Sequence, residues 1–74
     1  MLKSSVQAVL KNIVAFSVHG QILWDVYFAE TGASEATRMS RIGPESVDEG
    51  LKPGDRITVE SLFGVVTRIR RADD

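Results

Sequence analysis

The chain has 74 residues, 43% of them apolar and 26% charged, with a formal net charge of −1, a single histidine and no cysteine. So short a chain buries only about 60% of the surface its unfolded form exposes, and it has no disulfide or thiolate metal site to brace it. These properties exclude a disulfide scaffold and a globally basic nucleic-acid binder, and they predict one compact domain over residues 1–74, held by packing and by oligomerisation.

The charge is polarised along the sequence. Residues 1–24 carry +2 from Lys3 and Lys11, residues 25–55 carry −4, and Arg56 to Ala72 carry +3 before Asp73 and Asp74. No uncharged apolar run approaches the length of a membrane span. The opening Met1-Leu-Lys-Ser-Ser has no signal-peptide core, so the expected location is cytoplasmic, without a membrane partner.

Ser4 to Gln7 has capping-box spacing, and Val6, Val9, Leu10, Ile13 and Val14 recur at helical intervals, which predicts a short helix over residues 5–11 and a strand from Asn12. The competing pattern is a strand, since Val6, Ala8, Leu10, Val14, Phe16 and Val18 share one parity and β-branched residues are frequent. Val14, Phe16 and Val18 then lead through His19-Gly20 to Ile22, Trp24, Val26 and Phe28, which is the pattern of a β-hairpin with a two-residue loop. Ile22, Trp24, Val26 and Phe28 are the predicted core face, together with Phe16. Leu23 and Tyr27 fall on the outer face, where the N-terminal helix or another subunit is expected to cover them.

Beyond Thr31-Gly32, residues 33–42 read as a strand through Thr37 to Arg41, or alternatively as a helix closed by Gly43. Pro44 to Gly50 suits a single helical turn, and Lys52-Pro-Gly-Asp55 suits a type II turn. Two strands follow, separated near Ser61-Leu62. Ile57, Val59, Phe63, Val65 and Ile69 are the predicted core residues, leaving Arg56, Val66, Arg68 and Arg70 outward. The expected fold is therefore all-β: a small five-stranded SH3-like barrel of Sm-like layout with a short N-terminal helix, the alternative being an OB-type barrel if residues 33–42 are helical.

Enzymatic chemistry has little to work with. His19 sits in a predicted turn with no identified partner, and Asp25, Glu30, Glu35, Glu45, Asp48, Glu49 and Asp55 lie mostly in loops without calcium-loop spacing. The glycines are dispersed singly and form no phosphate cradle. No catalytic residue, metal or cofactor is expected. Binding falls instead to Arg56, Arg68, Arg70 and Arg71, with Tyr27 as the one outward aromatic and Leu23 as an outer apolar contact. Strand-edge self-assembly is equally compatible with outer Leu23 and Val66.

Leu51 to Val59 followed by Leu62 to Ile69 resembles the β-domain of small-conductance mechanosensitive channels, without their membrane helices. The same turn and strand resembles the fourth strand of bacterial translation initiation factor one, an OB-fold, without its basic character. Ser46 to Asp55 with Phe63-Gly-Val65 is similar to the head–tail joining proteins of tailed phages. The element order resembles Sm-like ring proteins, except that one residue rather than two separates Val18 from Gly20 and Trp24 stands where their next glycine falls. Each resemblance covers a short run or only the element order, so none transfers a functional residue. Together with the residues, they imply a non-enzymatic interaction module, self-assembling or docking to a protein partner, as in a phage or mobile element. The alternative is an Sm-like or OB-like protein that binds single-stranded RNA or DNA.

Overall fold

The structure, a computed structural model, describes residues 3–31 and 36–72. Five strands, β1 (Lys3–Val18), β2 (Gln21–Glu30), β3 (Arg38–Ile42), β4 (Arg56–Leu62) and β5 (Val65–Arg71), form one antiparallel sheet in the order β3-β2-β1-β4-β5. Strands β1 to β4 thus make a Greek key, with the fourth strand returning beside the first.

No helix forms at residues 5–11, which belong to β1. An isolated two-turn helix is marginal in water, whereas β1 satisfies its backbone on both sides: Lys3 to Val9 pair with β4, and Ala8 to Val18 pair with β2. The helical spacing has another origin. The β1–β2 register passes from Leu10↔Phe28 to Asn12↔Tyr27, leaving Lys11 as the extra residue of a bulge. Val6, Ala8 and Leu10 pack inward before the bulge and Ile13 after it, so a bulged strand reproduces the three- and four-residue steps of a helix.

The β1–β2 turn is as expected, with His19 at φ 50° and Gly20 at φ 81°, the left-handed pair a type I′ turn requires. The expected strand at Thr37 to Arg41 is β3, although residues 33–35 of that segment lie outside the described residues. A single 3₁₀ turn spans Pro44–Ser46. At Lys52 to Asp55, Gly54 has φ 98° and the Asp55 N–H donates to the Lys52 carbonyl at 3.0 Å.

The sheet is not closed into a barrel. β3 ends at Ile42, and Pro44 opens the 3₁₀ turn before any ladder to β5 can form. What brings the two edges together is the segment after that turn: Val47 makes one parallel bridge to Ile69, and the Asp48 N–H donates to the Ile69 carbonyl at 3.0 Å.

Every strand contributes to the core, with Ala8, Leu10, Val26, Phe28, Ile42, Ile57, Val59 and Ile69 joined by Val47. Four expected core residues depart from this. Phe63 and Val65 are 69% and 64% exposed. Phe63 forms the β4–β5 turn with Gly64, at φ 53° and 79°, so the reversal comes two residues later than Ser61-Leu62. Phe16 lies on the opposite face from the core, because the Lys11 bulge reverses the parity of β1. Ile22 is 54% exposed. It lies beyond Trp24, the last β2 residue with a β3 partner, where the hairpin projects past the core. Conversely, Val66 is half-buried against the core rather than outward, because Thr67 is the extra residue of a second bulge, its hydroxyl donating to the Glu60 carbonyl at 3.3 Å.

Candidate interaction surface

Of the four arginines expected to bind, Arg56 and Arg71 line one groove and Arg68 and Arg70 follow along β5, and three of the four are paired with carboxylates. Arg68 pairs with Asp48 at 3.1 Å and Arg70 with Glu60 at 2.7 Å. Arg71 folds onto the loop between the 3₁₀ turn and β4: its guanidinium reaches Asp55 at 3.3 Å and the Gly50 carbonyl at 3.4 Å, and its backbone N–H donates to Asp48 at 2.9 Å. Arg56 alone of the four has no ion-pair partner among the described residues. It lies between two shallow open grooves, one lined by Gly54, Asp55, Arg71 and Ala72, the other by Gln7, Ala8, Val9 and Thr31. Exposed ion pairs of this kind contribute little to stability, but they remove the free cations that a phosphate backbone would recruit.

Leu23 and Tyr27 are half-buried on the face opposite Val26 and Phe28, as the alternation along β2 predicts. They have company that strict alternation from Val6 to Val18 does not assign to this face. Beyond the Lys11 bulge, Val14, Phe16 and Val18 turn to the outer face, where Phe16 pairs with Leu23, Val14 with Asp25 and Val18 with Gln21. On the far side, β3 sets Met39 beside Tyr27 and Arg41 beside Asp25. Cross-strand partners share a face, so Val14, Phe16, Val18, Leu23, Tyr27 and Met39 form one apolar tract across three strands. Val14, Val18 and Met39 are exposed and the others are partly so. The sequence signal for the change of phase is the step from Leu10 to Ile13.

One ion pair crosses this tract. Arg41 Nε donates to Asp25 Oδ1 at 2.9 Å and its Nη2 to Oδ2 at 3.3 Å, while the guanidinium lies 4.4 Å from the Phe16 ring centre. The hydrogen bond from Arg41 holds the Asp25 carboxyl below the usual carboxylate range. A planar guanidinium held edge-on by a carboxylate and stacked on an aromatic ring is fixed in orientation. Arg38 pairs with Glu30 at the other end of β3 and lies 6.0 Å from the Phe28 ring centre.

His19 occupies the exposed β1–β2 turn. Among the described residues, no three histidine, aspartate or glutamate side chains are grouped to hold a metal ion, and no helix is long and apolar enough to cross a membrane. No family model matches the chain, and no curated protein or solved structure shows significant similarity to it.

Proposed function

We propose that this chain is a non-enzymatic protein-interaction module that docks through the outer face of β1, β2 and β3. The carrying observation is the apolar tract of Val14, Phe16, Val18, Leu23, Tyr27 and Met39, which among the described residues no other layer covers. Small soluble domains rarely leave a contiguous apolar patch on a sheet face unless a partner covers it. Arg41, oriented by Asp25 and Phe16, is the polar group best placed to give such a contact direction. Residues 38–42 are strand, so the helical ground for an OB-type barrel is not met, and it is the Greek-key strand order that supports an OB-type arrangement over an SH3-like one. A component of a larger assembly, as in a phage or mobile element, is the setting this reading favours.

A photo-crosslinking amino acid at Val14 or Met39, in cells of the native host, is expected to give discrete protein adducts. The same group at Ser5 on β1 serves as the control and is expected to give none. Absence of protein adducts from Val14 and Met39 would overturn the proposal, as would adducts to RNA or DNA in their place. The latter outcome would favour single-stranded nucleic-acid binding, for which Tyr27 and the exposed Phe63 supply stacking surfaces.

A further inference from the structure

The apolar tract runs to a strand edge that the described residues leave open. β1 has a neighbour on its β4 side only as far as Leu10, whose N–H donates to the Asp55 carbonyl at 2.9 Å and whose carbonyl accepts from the Gly54 N–H at 2.8 Å. Past that point the strand continues to Val18 with β2 on one side and, among the described residues, nothing on the other. Alternate residues of an antiparallel strand direct their backbone groups to opposite sides. The parity of this edge is marked by Ile13, whose N–H is taken by the Asn12 side chain at 2.9 Å rather than by a strand. Ala15 and Ser17 share that parity, and both are exposed.

Natural sheet edges are usually protected by lysine, proline, bulges or inward charges. After the bulge at Lys11, the run Asn12-Ile-Val-Ala-Phe-Ser-Val18 contains no charged residue and no proline. The other two edges differ. β5 carries Arg68, Arg70 and Arg71 and β3 carries Arg38 and Arg41, so pairing either edge with its own copy brings cations of both copies into one ladder. Like charges close across a ladder are destabilising, and of the three edges the β1 run 12–18 is the one without a charged residue.

We infer that the occupant of this edge is a second copy of the same chain, added antiparallel β1 to β1 about a two-fold axis near Ala15, to give one continuous six-stranded sheet, β3-β2-β1-β1-β2-β3, across the two copies. A two-fold axis perpendicular to the sheet keeps outer residues on the outer face. Pairing about Ala15 sets Val14 of each copy beside Phe16 of the other and Ile13 beside Ser17. The two apolar tracts then become one. The inference rests on the interaction-module reading and adds an edge contact to it: pairing in the plane of the sheet joins the two outer faces into one larger docking face without covering it.

The test uses the full chain in solution. Light scattering across a concentration series is expected to move from 8.1 kDa toward twice that mass. Hydrogen exchange is expected to show protection of the Ala15 and Ser17 amides that rises with protein concentration, while the Val14 and Phe16 amides, bonded to β2, stay protected throughout. Ser17→Lys, which places a charge against Ile13 of the other copy, and Ala15→Pro, which removes an edge donor, are each expected to weaken the dimer by about tenfold or more, since each change enters the interface twice. Circular dichroism of Ser17→Lys checks that the monomer still folds. A monomer at every concentration, or Ala15 and Ser17 exchange independent of concentration, would overturn the inference. So would a dimer insensitive to Ser17→Lys. If the inference fails while the Val14 and Met39 crosslinks to another protein persist, the interaction-module reading stands and only the edge pairing is wrong.

Discussion

Phe63 carries a backbone conformation that its side chain does not favour. At φ 53° an L-residue costs about 1–2 kcal/mol relative to the ordinary helical or extended regions, and type I′ turns normally place asparagine, aspartate or glycine there. Its ring is too exposed to recover that cost by burial. Phe63→Asn is therefore expected to raise the unfolding free energy by about 1 kcal/mol in urea titrations, and an unchanged or lowered value would show that the ring is packed after all. Asp25 has a pH signature. Its carboxyl is held below the unfolded-state value of about 3.9 by the Arg41 hydrogen bond. The associated stability is thus fully present above that value and is lost as pH falls through the folded-state pKa. Asp25→Asn should show a shallower loss of stability between about pH 5 and pH 2 than the parent chain. Parallel curves would mean that the pair adds nothing.

At the scale of the strand, the Lys11 bulge decides which side chains are core. Leu10 and Val14 are four residues apart and would share a face in an unbroken strand, yet Leu10 is fully buried and Val14 exposed. Leu10→Ala is expected to cost about 2–5 kcal/mol, and Val14→Ala about 0.5 kcal/mol or less, by thermal or chemical unfolding. Equal costs would place both residues in the core and contradict the bulge. Much at this scale was legible in the sequence. The His19-Gly20 and Lys52 to Asp55 turns, the β1–β2 hairpin and the inward set of Val26, Phe28, Ile57, Val59 and Ile69 follow from local backbone preference and alternation. The bulges were not legible as such, because an extra residue is placed by the need of one strand to match two neighbours. The helix expected at residues 5–11 was the same signal misread.

For the molecule as a whole, the approach of the two sheet edges depends on the segment after the 3₁₀ turn. Asp48 holds it: its carboxylate accepts from Arg68 and from the Arg71 backbone N–H, while its own N–H reaches the Ile69 carbonyl. Asp48→Ala should lower stability by about 1–2 kcal/mol and speed exchange of the Arg71 amide, while the β1–β2 amides keep their protection. Uniform acceleration across the sheet would show instead that the whole molecule opens as one unit. The candidate surface was only partly readable at this scale. Tyr27 and Leu23 were placed on the outer face by alternation, but Phe16, Val14, Val18, Met39 and Arg41 join them only through register with β2 and β3.

By itself, the sequence determined the all-β class, the positions of the main turns and about half of the buried residues, because period-two alternation and the φ demands of glycine and proline act over a few neighbouring residues. The tertiary structure decided the strand order, the two bulges, the open seam between β3 and β5, and the pairing of Arg68, Arg70 and Arg71 with carboxylates. These depend on which strands lie side by side, and contacts between residues distant in the chain leave no local pattern to read.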